Sequence, residues 1–227
     1  MATHVEPGWV DEQLAAIIAL VRISLRDAIE ALSSADSSAA QRIIAADDEI
    51  DSRCVTLDRD AEILLVGRVV SPRDMGLILA STRVGRNLER MADQCVTIAQ
   101  LVLAESVPVS GSDEIRDLLR EMGGRAERML EVAADCLARR DPHRALELVT
   151  LDKLMDDLNA LVGERVLDLA GDRAQRAWGI RMVLAARALE RVADNAVDIG
   201  EQAWYVATGE LREFTDASHP EREPGSG

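Results

Sequence analysis

Aromatic side chains are almost absent from this 227-residue chain: Trp9, Trp178, Trp204, Tyr205 and Phe214 amount to 2%. Strands draw on aromatic and β-branched residues. A 48% apolar share supplied mainly by Ala, Leu, Ile, Val and Met, beside 30% charged residues, suits packed helices instead. The expected class is all-α. Positive charge is also short, with 26 Lys and Arg against 41 Asp and Glu, a net charge of −15 and a pI near 4.6. That balance argues against nucleic acid, whose phosphates select for Lys and Arg, and five aromatics give no stacking platform for single strands. The three cysteines, Cys54, Cys95 and Cys136, are far apart and form no Cys-x-x-Cys. This rules out a disulfide framework or a thiolate zinc site, and each is expected to be a small buried hydrophobe in a reducing cytosol. No apolar run approaches the roughly 18 residues a membrane span needs. Glu6, Asp11 and Glu12 give the N-terminus the wrong charge for a secretory signal.

Histidine is scarce as well. His4, His143 and His219 lie at or near segment ends, and none follows a Glu in the Glu-x-x-His spacing that di-iron oxidases of the ferritin-like kind require. No Ser-His-Asp or Cys-His set and no glycine-rich phosphate loop is present. His143 reads as a helix-start residue, and no catalytic machinery is expected.

What the chain does have is a repeat. Arg86 to Ala99 aligns with Arg187 to Gly200 at an offset of 101, with eight of 14 positions identical, where unrelated segments would share about one. Breakers divide the sequence into six helical segments, running from about Val10 to Leu32, Ala39 to Val69, Ser71-Pro72 to Glu105, Asp113 to Leu137, His143 to Leu169 and Arg173 to Thr208. The third carries an apolar stripe of Leu77, Val84, Leu88, Met91, Cys95, Ile98 and Val102. The sixth carries its counterpart, Met182, Ala185, Leu189, Val192, Ala196, Ile199 and Ala203. The strongest break, Val107 to Ser112, falls between the repeats. The expected architecture is therefore two tandem, pseudo-symmetric three-helix bundles with elongated antiparallel packing, over residues 9–105 and 112–210. Residues 211–227 are expected to be a disordered tail.

Each repeat carries Glu-Arg-x-Ala-Asp, whose carboxylates stack on one helix face about 6 Å apart. A second pair, Asp-x-x-x-Asp, stands on helices two and five. With 41 acidic residues, about seven such pairs arise by chance on solvated faces, so one pair means nothing. Recurrence on two different helices of both repeats does. If helices two and three pack antiparallel, Asp47 and Asp51 face Glu89 and Asp93, and by the same argument Asp152 and Asp156 face Glu190 and Asp194. Four converging carboxylates need protonation, arginine partners or a metal, and oxygen-only ligands suit hard cations. Arg86, Arg90, Arg187 and Arg191 stand beside the acids, so metal site and arginine-paired network are both open.

At these residues the sequence resembles the PhoU family of bacterial phosphate-uptake regulators, whose repeated pattern reads roughly Leu-Glu-Arg-Ile-Gly-Asp-His/Asn-Ala-x-x-Ile-Ala. It stands here as Leu88 to Ala99 and Leu189 to Gly200, and Glu201 to Glu210 is similar to the family's Glu-x-x-x-Tyr-x-Val-x-Gly-Glu ending. The similarity covers about residues 10–211. It implies a cytoplasmic, non-enzymatic adaptor that negatively controls phosphate uptake and the phosphate-starvation response. Its implied partners are the ATPase subunit of a phosphate ABC transporter and a phosphate-sensing histidine kinase, and it meets the membrane through those partners only. A homodimer is left open. Some family members bind multinuclear iron or zinc clusters through Glu/Asp-x-x-x-Asp motifs. Carried over, the ligands are Asp47, Asp51, Glu89, Asp93, Asp152, Asp156, Glu190 and Asp194, with iron, zinc, magnesium or manganese as the metal. The sequence departs at Ala92 and Ala193, where Gly is common, and at Gln94, where His is frequent. An accessory subunit of a different phosphate transporter and a carboxylate-metal enzyme are the alternative readings.

Overall fold

The structure is a computed structural model and describes residues 7–67, 71–104, 113–169 and 172–214. It contains α1 (Pro7–Ser34), α2 (Ser37–Gly67), α3 (Pro72–Leu103), α4 (Asp113–Arg139), α5 (Pro142–Ala145), α6 (Glu147–Leu167) and α7 (Arg173–Thr208), with no strand among the described residues. The fold is all-α, two three-helix bundles in tandem. The break expected at Val107 to Ser112, like His4 and His219, lies outside the described residues.

The chain ends its first helix in the same way in both bundles. Ala35 (φ 54°) and Arg140 (φ 53°) take the left-handed conformation without being glycine. Each is followed by an aspartate that starts the next helix. Asp36 Oδ1 accepts from the N–H groups of Ser38 (2.8 Å) and Ala39 (3.1 Å), and Asp141 Oδ1 accepts from His143 (3.0 Å) and Arg144 (3.3 Å). These bonds satisfy donors that a helix start leaves open. His143 is indeed a helix-start residue. The third helices are also capped: Ser71 accepts from the Asp74 N–H ahead of Pro72, and Asp172 forms a reciprocal box with Gln175. At the end of α7, Gly209 (φ 78°) adopts a conformation glycine reaches without strain, and its N–H donates to the Tyr205 carbonyl at 2.8 Å.

Two expectations are corrected. The fifth helix is not continuous from His143. The turn α5 gives way to α6 at Leu146, whose N–H donates to the His143 carbonyl at 3.2 Å, three residues back rather than four. Of the tail expected to be disordered over 211–227, residues 211–214 are placed, and residues 215–227 lie outside the described residues. Beyond Gly209 the chain folds back, and the Phe214 N–H donates to a Glu201 carboxylate oxygen at 2.7 Å. The Phe214 ring meets Trp204 edge-on at 6.0 Å, and the Arg212 guanidinium lies 4.6 Å over Trp204. One apolar residue anchors a segment whose polar composition points to disorder.

The apolar stripes form the core. Val84, Leu88, Met91, Cys95, Ile98 and Val102 are buried, as are all seven members of the α7 stripe, whereas Leu77 is half-buried. Cys54 and Cys136 are buried as well. Partners across helices fix the directions. Cys54 Sγ meets the Gly85 carbonyl, while Asp47, earlier on α2, acts on Asp93 and Cys95, later on α3, so α2 and α3 are antiparallel. Asn159 meets Glu190, Gly179 lies against Val166 and Gly200 against Leu148, so α6 and α7 are antiparallel as well. Arg83 donates to Gln202 at 3.4 Å while Gly76 lies against Tyr205 and Arg90 acts on Asp198, so α3 runs antiparallel to α7. Arg140 pairs with Asp11 at 3.4 Å while Gly123 lies against Ile29, doing the same for α1 and α4. The two bundles thus share one core, arranged about a pseudo-twofold relation.

Candidate functional site

Antiparallel α2 and α3 bring Asp47 and Asp51 opposite Glu89 and Asp93. Asp47 is pushed up from 3.8 to about 6, first by loss of water and then by the charges of Asp51, Asp93, Asp48 and Glu89. Asp93 is raised by partial burial and by Asp51. These are the four residues expected to face one another, and they feel one another's charge across the helix pair. Ile50, between the two aspartates of α2, is buried and turns their face toward α3.

The second bundle repeats this on α6 and α7 more deeply. Asp152 is only 8% exposed, its Oδ1 has no hydrogen-bond partner, and it is pushed up to about 7 by burial and then by Asp156, Asp194 and Glu190. An ionised carboxylate in so dry a place is costly without a counter-charge. Glu190 is buried and raised by desolvation, against the pull of Arg187, which pairs with it directly. Asn159 donates to the same carboxylate at 3.3 Å. Asp194 is raised by desolvation, which Arg187 partly offsets.

Of the four arginines noted beside the motif, only Arg187 is paired into an array. Arg86 pairs with Asp58 at 3.6 Å. Arg90 lines a cavity of about 580 Å³ between α2, α3 and α7, together with Arg83, Arg86, Asp198 and Glu201, and none of the eight array acids lines it. The roles of Asn159 and Asp58 depend on register across a helix pair, which spacing along one helix does not carry.

The donor chemistry of both arrays fits hard cations. The sets are oxygen-only, and the bare Asp152 Oδ1 is the kind of buried acceptor a cation would satisfy. Among the described residues, no three His, Cys, Asp or Glu side chains are drawn together closely enough to hold one ion. The carboxylates stand as open arrays across each helix pair rather than as closed cages.

Fold and site together define a class, a duplicated three-helix bundle with a carboxylate array between the last two long helices of each half. A PhoU domain family model matches residues 14–102 and 119–203, one stretch in each bundle, and the chain belongs to the PhoU family. It is 28% identical over 214 residues to the phosphate-specific transport system accessory protein PhoU homolog of Pseudomonas aeruginosa, covering 92% of this chain and 85% of that one. With PhoU homolog 1 of Mycobacterium tuberculosis it shares 27% identity over 199 residues, covering 88% and 90%. The crystal structure of PhoU from Pseudomonas aeruginosa superposes with a TM-score of 0.81 at 27% identity, covering 88% of this chain and 96% of that one. PhoU from Streptococcus pneumoniae shares the fold at a TM-score of 0.81 and 24% identity, over 91% and 97% of the two chains. No helix among the described residues is long and apolar enough to cross a membrane.

Proposed function

We propose that this chain is a regulatory adaptor that holds phosphate uptake and the phosphate-starvation response in check by joining the ATPase subunit of a phosphate ABC transporter to a phosphate-sensing histidine kinase. It acts in the cytoplasm, without catalysis, and reaches the membrane only through these partners. The observation that carries the reading is the doubled PhoU match, one in each bundle, together with relatives named for phosphate-specific transport that align over most of their own length. Residues 9–105 and 112–210 are taken as its two working units.

In the same reading the arrays hold hard cations such as magnesium, manganese, iron or zinc, through Asp47, Asp51, Glu89 and Asp93 in one bundle and Asp152, Asp156, Glu190 and Asp194 in the other. A bound cation would supply the positive charge that lets both helices of a pair keep their carboxylates ionised. The protein's part is to present oxygens from two helices at once.

Deletion of the gene in the source bacterium should leave phosphate-starvation genes switched on in phosphate-rich medium, and the full chain supplied in trans should switch them off again. Reporter expression that ignores the deletion would count against the adaptor role.

A further inference from the structure

The cavity of about 580 Å³ between α2, α3 and α7 stands apart from the carboxylate arrays. One side of it is a row on α3: Arg83, Arg86 and Arg90 at helical spacing, with Asn87 among them. Each guanidinium carries five N–H donors, and the protein engages few of them. Arg83 donates to Gln202 at 3.4 Å, and Arg86 meets Asp58 at 3.6 Å. Arg90 makes neither an ion pair nor a hydrogen bond among the described residues, although its charge acts on Asp198. Asn87 is only 7% exposed, and its side-chain amide, which lines the cavity, has no hydrogen-bond partner among the described residues. Buried polar groups left open in this way are rare. The internal repeat supplies a control. At the same positions the second half carries Leu184 for Arg83 and Ala188 for Asn87, and α6 carries Gly163 and Leu167 where α2 has Asp58 and Glu62. Thr97 and Leu101 stand on α3 where α7 has Asp198 and Gln202. Leu167 and Leu184 are exposed, and Arg187, with no carboxylate at Gly163 to meet, turns to Glu190. The same helix packing forms without these polar groups, so the fold does not require them in the first half.

A row of under-used guanidiniums suits a multiply charged oxyanion, because arginine takes phosphoryl oxygens in pairs. The opposite walls narrow the choice. Asp58, Asp198 and Glu201 line them, and ionised carboxylates only accept hydrogen bonds. They compete with a bare anion for the arginines and favour one that brings its own donors. No aromatic ring is among the lining residues, so nothing there stacks a nucleobase. The volume is that of a small-molecule site. We propose that this cavity binds a phosphorylated sugar or polyol, its phosphoryl groups held by Arg83, Arg86, Arg90 and Asn87 and its hydroxyls donating to the carboxylates of α2 and α7. The site is independent of metal at the arrays and of the adaptor role.

Titration calorimetry on the full chain, in EDTA so that no cation occupies the arrays, provides the test. Fructose 1,6-bisphosphate should bind at one site, more weakly as NaCl is added. Inorganic phosphate, too small to span the row, should bind at least about tenfold less tightly. Arg90→Gln and Asn87→Ala should each weaken the bisphosphate by roughly tenfold, with helix content unchanged in circular dichroism. Asn87→Ala removes an amide that has no partner in the protein, so its loss of binding is not a loss of folding. Arg191→Gln, at the repeat counterpart of Arg90, should bind like wild type. Asp198→Ala should weaken the bisphosphate yet leave pyrophosphate as tight or tighter, because it removes both an acceptor for hydroxyls and a competitor for Arg90. Absence of binding by all three probes, or affinities indifferent to Arg90→Gln and Asn87→Ala, would overturn the site. Equal affinities for pyrophosphate and the bisphosphate would overturn the part given to the carboxylates. If Arg90→Gln relieved repression of phosphate-starvation genes while no probe bound, the cavity would be a protein-contact surface, and the small-ligand assignment would fall.

Discussion

Asp152 is the carboxylate whose surroundings least suit its charge. Burial comes first, then three acidic neighbours, and its folded value of about 7 stands well above the ordinary 3.8. Because the folded value is the higher one, metal-free native protein takes up a proton between these limits that the unfolded chain does not. Stability should therefore fall as pH rises through that window, and Asp47, at about 6, should add to the trend. Between pH 8 and 5.5, chelator-treated protein should gain about 2 kcal/mol from Asp152, seen as a melting temperature several degrees higher. Glu190 and Asp194, raised by desolvation against the partial pull of Arg187, act in the same direction. Asp152→Asn should reduce the slope in this window to the part Asp47 supplies, and a slope undiminished by the substitution would show that Asp152 is not its source.

At the scale of the element, the turns that end α1 and α4 show what repeat reading can and cannot reach. The sequence marks the first as a turn through its run of serines, but only backbone angles show Ala35 and Arg140 in a conformation that suits glycine. Ala35→Gly should stabilise by roughly 0.5–1 kcal/mol, since relief of the left-handed strain exceeds glycine's entropic cost there. Asp36→Ala should cost about 1 kcal/mol through the lost cap. Chemical denaturation measures both, and a destabilised Ala35→Gly would contradict the strain argument. The tail is the other element the sequence misreads. Composition around Arg212 and Glu213 points to disorder, yet Phe214 settles on Trp204 under an arginine and is tied to Glu201. Phe214→Ala should leave the bundles folded, unchanged in circular dichroism, while indole emission shifts to the red and becomes easier to quench with iodide. Trp178 is fully buried and serves as the internal reference. Unaltered emission would mean that the strap does not shield Trp204.

For the whole molecule, the helical stripes, the 101-residue offset and the paired acids were legible because each depends on spacing along one helix. Arginine partners, the bare Asp152 oxygen and Asn159 were not, because they depend on register between helices, which a single residue such as Gly163 can redirect. The same distinction bears on stability. Two arrays of like charge lie across helix pairs that otherwise share one core, so each array works against the packing around it. A ligand that binds the native arrays stabilises the fold by mass action. At matched ionic strength, Mn²⁺ should therefore raise the wild-type melting temperature beyond what salt screening achieves. The gain should shrink in Glu89→Gln with Asp93→Asn, and vanish when Asp152→Asn with Asp194→Asn is added. In chelator, the first double substitution should leave stability unchanged or raise it, because it removes repulsion and no arginine pair is lost. A melting temperature that ignores Mg²⁺, Mn²⁺, Zn²⁺ and iron alike would leave the carboxylates as an electrostatic feature of the bundle and remove metal from its function.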